Sequence, residues 1–91
     1  MQNESGDVVS KLDKLKQRLR ELPKDFTYDE LVSLLTALGY ELDNKGKTSG
    51  SRVRFMKGTS IIILHKPHPG NIMKVYALKQ VIDVLESEGQ I

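Results

Sequence analysis

Hydrophobic positions recur at helical spacing in three stretches of the chain. The first covers residues 8–22 and ends at Pro23, which cannot continue a helix. The second extends from Tyr28 to Leu38, and the third extends from Val75 to Glu88. The apolar positions that define the three stripes are Val8, Val9, Leu12, Leu15, Leu19 and Leu22, then Leu31, Leu34, Leu35 and Leu38, then Val75, Leu78, Val81, Ile82 and Leu85.

The second helix carries its own start and stop signals. Thr27 and Glu30 have the spacing of a capping box, in which hydroxyl and carboxylate satisfy backbone N–H groups reciprocally. Phe26 precedes the cap and is expected to pack against Leu31. Gly39 supplies the left-handed residue that commonly ends a helix.

Between the second and third helices the pattern changes to the alternation of strands. Short strands are predicted at residues 40–43, 52–56 and 59–65, the last two joined by a tight turn at Lys57-Gly58. The order helix, helix, three antiparallel strands, helix predicts an α+β domain with helices on one face of a small sheet.

The second strand has one apolar and one basic face. Val53 and Phe55 are expected to face the core, while Arg52, Arg54 and Met56 point the other way. Two guanidinium groups are therefore predicted on the outer face of the sheet.

The third strand is apolar on both faces. If Ile62 and Leu64 point inward, then Ile61, Ile63 and His65 share the outer face. The two outer isoleucines then need cover from the first helix, a protein partner or a second copy of the chain.

At 91 residues, with 38% apolar and 29% charged residues, the composition fits one soluble domain with a modest core. The formal net charge is only +2, but all acids lie before Lys45 or after Lys74. The segment between them is expected to bind a polyanion, because clustered positive charge without compensating acids attracts phosphates. Its cations are Lys45, Lys47, Arg52, Arg54, Lys57, Lys66 and Lys74.

Several classes of function are disfavoured. The absence of cysteine excludes disulfides, thiolate nucleophiles and cysteine metal sites. His65 and His68 have no nearby carboxylate, so neither a metal site nor a cofactor is predicted. The first seven residues lack a signal peptide, and the longest apolar run, Ile61 to Leu64, is too short for a membrane span. A cytoplasmic protein with no membrane association is expected.

Much of the chain resembles the HicA family of bacterial toxins, small ribonucleases of type II toxin-antitoxin modules with a double-stranded-RNA-binding-domain-like fold. The resemblance lies in four segments, namely Leu31 to Leu42, Gly50-Ser51, Pro67 to Asn71 and Glu88 to Ile91. It implies a HicA-like domain at residues 27–91, and the first helix at 8–22 lies outside the minimal core of the family. The polar residues 1–7 are expected to form a disordered tail. The resemblance further implies mRNA as ligand and an antitoxin as protein partner.

One position departs from the family pattern. In the family a Gly-Ser pair is followed by the histidine implicated in RNA cleavage, whereas Gly50-Ser51 is followed here by Arg52. Arginine stays charged at neutral pH, so Arg52 can bind a phosphate but cannot act as a general base. His65 and His68 are therefore the candidate base and acid for metal-independent cleavage.

The sequence leaves alternatives open. The two histidines can instead be structural, one closing a strand and the other packing in a rigid turn. The chain is then a non-catalytic RNA-binding module, or a protein-interaction domain for an acidic partner. The cations bind phosphates both in a ribonuclease and in a non-catalytic RNA-binding module. Salt-sensitive RNA affinity would disfavour the protein-interaction domain.

Overall fold

The computed structural model describes residues 11–43, 52–67 and 70–91. Within these residues, three helices accompany an antiparallel sheet of three strands. The helices are α1 (Lys11–Arg20), α2 (Tyr28–Ala37) and α3 (Val75–Ser87), and the strands are β1 (Glu41–Asp43), β2 (Arg52–Lys57) and β3 (Ser60–His65). The predicted α+β class and element order are confirmed.

Helix α1 completes the core on the helical side of the domain. It packs against α2 and α3, and its Leu19 is fully buried. It does not cover the outer isoleucines, since Ile61 and Ile63 remain exposed. It ends two residues before the predicted Leu22, which adopts φ +52 and is followed by Pro23.

The predicted capping box of α2 is present, and α1 adds to it. The Glu30 backbone N–H donates to Thr27 Oγ1 at 3.0 Å, and Glu30 Oε1 accepts from the Thr27 N–H at 2.9 Å. Arg18 of α1 donates from Nε to Glu30 Oε2 at 2.9 Å and from Nη2 to Asp25 Oδ1 at 3.0 Å. The Arg18 guanidinium also lies 5.5 Å from the ring centre of Phe26.

The sheet order is β1-β2-β3, so β3 is an edge strand. The turn between β2 and β3 consists of Gly58 and Thr59, one residue later than predicted, because Lys57 still pairs with Ser60. Gly58 has φ +60 whereas Thr59 is not in the left-handed region, which matches a type II′ turn with its glycine in first position. This turn fixes the register of the whole hairpin.

The core lies between the inner sheet face and the helices. The predicted strand faces are confirmed, since Val53, Phe55, Ile62 and Leu64 are buried. The other buried apolar residues are Leu19, Phe26, Leu31, Leu34, Leu35, Tyr40, Met73, Ala77, Leu78, Val81 and Leu85. The hydroxyls of Tyr40 and Ser60 form a buried hydrogen bond of 2.6 Å, so each satisfies the other's polar atom.

The entries to α2 and α3 are held together by backbone hydrogen bonds. Thr27 and Ile72 form a short antiparallel bridge, in which the Met73 N–H donates to Phe26 O at 2.7 Å and the Tyr28 N–H donates to Asn71 O at 2.8 Å. The longest described helix, α3, has 13 residues, and none of the described helices is long and apolar enough to cross a membrane.

The Arg18 cluster makes the stability of the domain sensitive to acid. The hydrogen bond that Arg18 donates to the Glu30 carboxylate lowers the pKa of Glu30 below its usual range and raises the pKa of Arg18. A lowered carboxyl pKa contributes stability that is present above about pH 5 and is lost as the pH falls through the lowered value. We expect Arg18→Met to destabilise the domain at pH 7 and to have a smaller effect at pH 3, measured by urea unfolding at both values.

Arg20→Met is the matched control, because Arg20 lies on the same helix and forms an exposed pair with Glu86 at 3.6 Å. It should unfold close to wild type at both pH values. Equal effects of the two substitutions at pH 7 would show that Arg18 does not anchor α1.

Candidate nucleic-acid interface

A groove beside the end of β3 brings together polar residues from two separate parts of the chain. His65 and Lys66 contribute from the end of β3, and Lys74, Tyr76 and Gln80 contribute from the start of α3. The remaining lining is Ile63, Leu64, Pro67, Met73 and Ala77. Three predicted site residues, His65, Lys66 and Lys74, therefore share one open surface.

His65 is the last residue of β3 and pairs with Arg52, the first residue of β2. Side chains of directly opposed residues project from the same sheet face, with Cβ atoms about 5 Å apart. Both side chains are exposed. The imidazole and the guanidinium therefore stand side by side on the outer face, at the end of the hairpin remote from its turn.

Lys66 is oriented by an aromatic ring. Its Nζ lies 5.8 Å from the ring centre of Tyr28, at the start of α2. Burial raises the pKa of Tyr28, and the neighbouring Asp29 raises it further. The Tyr28 hydroxyl therefore stays protonated at neutral pH and cannot act as a general base.

Lys74 is positioned by the backbone bridge before α3. It is exposed and occupies the N-cap position of α3, where it makes no side-chain capping hydrogen bond. The first backbone N–H groups of the helix carry partial positive charge, and the ammonium group adds to it. This end of α3 thus favours an anion.

Arg54 has an acidic partner, although the basic segment from Lys45 to Lys74 contains no acid of its own. Asp43 of β1 pairs with Arg54 in the sheet, and their side chains form an ion pair of 3.1 Å. Arg54 Nη2 also lies 3.5 Å from Met56 Sδ, and its Nε is buried without a hydrogen-bond partner among the described residues. Strand pairing thus brings an acid from outside the basic segment to Arg54, and a role of Arg54 in RNA binding stays a prediction.

Lys57 has a structural contact. Its Nζ donates to Leu38 O at 2.6 Å, at the carboxyl end of α2, and lies 6.0 Å from the ring centre of Tyr40. Its side chain passes over Gly39, whose φ of +102 ends the helix as predicted. Lys57 thus neutralises the negative end of α2.

Three predicted site residues lie outside the described residues, namely Lys45, Lys47 and His68. The same holds for Gly50-Ser51, for the predicted tail at residues 1–7 and for the start of the first predicted helix at 8–10. Their roles stay predictions.

Tyr76 is a candidate that the sequence analysis did not identify. Its side chain is 60% exposed and lines the groove next to the basic residues. The sequence does indicate that Tyr76 is exposed, because it falls outside the apolar stripe of α3 that includes Val75 and Leu78. An exposed aromatic ring beside cations is the arrangement that stacks unpaired bases.

Comparison with known proteins agrees with this architecture. The family model described as the HicA toxin of bacterial toxin-antitoxin matches residues 28–86. The chain belongs to the HicA toxin family. No curated protein and no solved structure matches the chain.

The HicA match begins at the first residue of α2 and ends within the last turn of α3. The sheet and the groove therefore lie inside the family domain, while α1 lies outside it. Membership in the family implies a cognate antitoxin as partner.

The contacts of Lys57 and Lys74 give opposite expectations for stability. Lys57→Met removes a charged hydrogen bond to the end of α2 and should lower the free energy of unfolding by about 1–2 kcal/mol. Lys74→Met removes a cation from the positive end of α3 and should leave the free energy of unfolding unchanged or slightly raised. Urea unfolding at pH 7 and low salt measures both, and equal losses would contradict these assignments.

Proposed function

We propose that this HicA-family toxin binds mRNA in the cytoplasm through the groove and cleaves it by metal-independent acid and base chemistry. The observation that carries the proposal is the pairing of His65 with Arg52, beside the groove residues Lys66 and Lys74. Arg52 follows Gly50-Ser51, where the family resemblance expects a histidine. The imidazole thus stands directly across the hairpin from the expected position.

The chemistry requires a base, an acid and cations. A neutral His65 would take the proton of the ribose 2′-hydroxyl, and the 2′-oxygen would then form a bond to phosphorus. The bond from phosphorus to the 5′-oxygen breaks, and that oxygen must receive a proton. The products are a 2′,3′-cyclic phosphate and a free 5′-hydroxyl.

The remaining roles fall to neighbouring residues. His68, three residues after His65, is the candidate acid for the leaving oxygen. Arg52, Lys66 and Lys74 would bind phosphates and stabilise the charge that develops on the pentacoordinate phosphorus. Arg54 and Lys57 are the weaker candidates among the described cations, because each already has a partner within the protein.

A second candidate is a HicA-like module that binds RNA without cleaving it. The observation that favours it is Arg52 itself, since a guanidinium at the position of the expected histidine cannot exchange a proton at neutral pH. Both candidates need the groove, and they differ only in turnover.

A cleavage assay distinguishes the ribonuclease from the non-catalytic RNA-binding module. Labelled single-stranded RNA is incubated with the purified protein and a chelator, and the fragments are analysed for 2′,3′-cyclic phosphate ends. We expect cleavage by wild type and a loss of about 100-fold or more in His65→Ala, because general base catalysis contributes that much. His68→Ala should lose a comparable factor as the acid.

The exchange variant Arg52→His/His65→Arg separates a catalytic from a structural histidine. It keeps one imidazole and one guanidinium in the same cross-strand pair, so we expect it to retain more cleavage than His65→Ala. Thermal unfolding of each variant checks that the fold is intact. Intact RNA with wild type that is nevertheless bound at low salt would favour the non-catalytic module.

RNA affinity gives an independent test of the groove. Tyr76→Ala should weaken binding of single-stranded RNA by roughly 5- to 150-fold, since stacking contributes about 1–3 kcal/mol per base. Tyr76→Phe keeps the ring and should bind like wild type. Equal affinity of Tyr76→Ala and wild type would exclude base stacking at this residue.

The salt dependence of the same binding assay distinguishes RNA from an acidic protein as ligand. Each phosphate contact contributes about −0.7 to the slope of log affinity against log salt for single strands. Lys66→Met and Lys74→Met should each reduce the slope by about that amount. No measurable RNA affinity at low salt would favour the protein-interaction reading.

A further inference from the structure

The free edge of β3 combines unpaired backbone with exposed apolar side chains. Among the described residues, β3 pairs with β2 and with no other strand. Its outer-face isoleucines, Ile61 and Ile63, are 44% and 49% exposed. Such an edge is open to a further strand.

The turn determines which backbone groups of β3 are free. In a two-residue hairpin the residues that close the turn, here Lys57 and Ser60, form a hydrogen-bonded pair, and such pairs alternate along the strands. Ser60, Ile62 and Leu64 therefore bond to β2, whereas the N–H and C=O groups of Ile61, Ile63 and His65 point to the open edge. These three residues take part in none of the described backbone hydrogen bonds outside the sheet.

The sequence of β3 lacks the residues that usually prevent strand pairing at an edge. Residues 59–64 contain no charged side chain, no proline and no glycine, and β3 pairs with β2 without a bulge. Lys66 is the nearest cation beyond the strand. Two copies can therefore approach along β3 without repulsion between like charges.

We infer that β3 is a dimerisation edge that pairs antiparallel with β3 of a second copy, with Ile62 on the two-fold axis. In this register Ile61 lies opposite the partner's Ile63, and Ile63 lies opposite the partner's Ile61. Both pairs are of the hydrogen-bonded kind, as the free backbone groups require. The pairing joins the exposed isoleucines of both copies into one apolar cluster.

The strand that pairs with this edge is β3 of a second copy, because β3 is complementary to itself in its side chains and in its free backbone groups. Its apolar outer side chains meet identical side chains, and its free backbone groups meet the same groups in reverse order. Lys66 and the partner's Lys66 are eight residues apart along the paired strands, about 27 Å, which keeps them beyond a Debye length. Dimerisation at this edge requires neither RNA binding nor cleavage, and Ile63 belongs both to the edge and to the lining of the groove.

The oligomeric state of the purified full chain tests the inference. We expect a weak dimer with a dissociation constant on the order of 10 μM, because the paired strands bury a small interface. Ile63→Lys places a charge twice in the symmetric interface and should weaken the dimer by about 100-fold or more. Ile72→Lys is the matched control, since Ile72 is 45% exposed and lies outside the sheet.

Analytical ultracentrifugation measures the oligomeric state of wild type, Ile63→Lys and Ile72→Lys. Protein concentrations from about 5 to 300 μM include the expected dissociation constant. Dimers of wild type and Ile72→Lys together with monomeric Ile63→Lys support the inference. A monomeric wild type, or an Ile63→Lys variant that still forms the dimer, overturns it. If wild type is monomeric and Ile63→Lys only abolishes antitoxin binding, the edge belongs to the antitoxin and the inference fails.

Cysteine crosslinking tests the register, because the chain contains no cysteine of its own. Opposed residues of a hydrogen-bonded pair have Cα atoms about 5.5 Å apart, within the range of a disulfide. Mixing Ile61→Cys with Ile63→Cys under oxidising conditions should give a crosslinked dimer that neither variant gives alone. Crosslinking of Ile63→Cys alone would instead centre the pair on Ile63 and overturn the proposed register.

Discussion

The register of the β2–β3 hairpin is the constraint on which the rest of the structure depends. A type II′ turn with Gly58 at φ +60 pairs Lys57 with Ser60, and every later pair follows from that one. Packing on the inner face of the sheet stabilises this register, since Phe55 and Ile62 form one buried pair and Val53 and Leu64 form another. A slip by one residue would turn these side chains to solvent, so the burial of the inner face also fixes the outer face. Arg52 stands beside His65 for this reason.

The surface of the β2–β3 hairpin is less uniformly basic than its sequence suggests. Strand pairing brings Asp43 to Arg54, and the chain reversal after α2 brings Lys57 to the carbonyl of Leu38. These two cations thereby support the fold, while Arg52, Lys66 and Lys74 are the exposed cations among the described residues of the basic segment. Positive charge at one end of the hairpin gives a small groove a stronger local field than the formal net charge suggests.

The groove depends on contacts that lie behind it. The bridge between Thr27 and Ile72 fixes the entry of α3 against the entry of α2, and this sets the place of Lys74. Arg18 of α1 binds the Glu30 carboxylate that also caps α2, so a helix outside the family domain reinforces the same junction. The ring of Tyr28 at this junction lies near Lys66. The part of the chain that is additional to the HicA domain is thus connected to the candidate site through α2.

The sequence alone determined the local structure and the buried faces. Periodicity gave the helices and strands, Thr27, Glu30 and Gly39 gave the limits of α2, and alternation gave the inward residues of β2 and β3, because these depend on neighbours along the chain. The family resemblance was likewise visible in local segments. Only the tertiary structure decided that Asp43 neutralises Arg54, that α1 completes the core and that Tyr76 joins His65 and Lys74 in one groove. These contacts join residues that are distant in sequence, and the pattern of apolar and polar positions does not specify which polar side chains the packing will bring together.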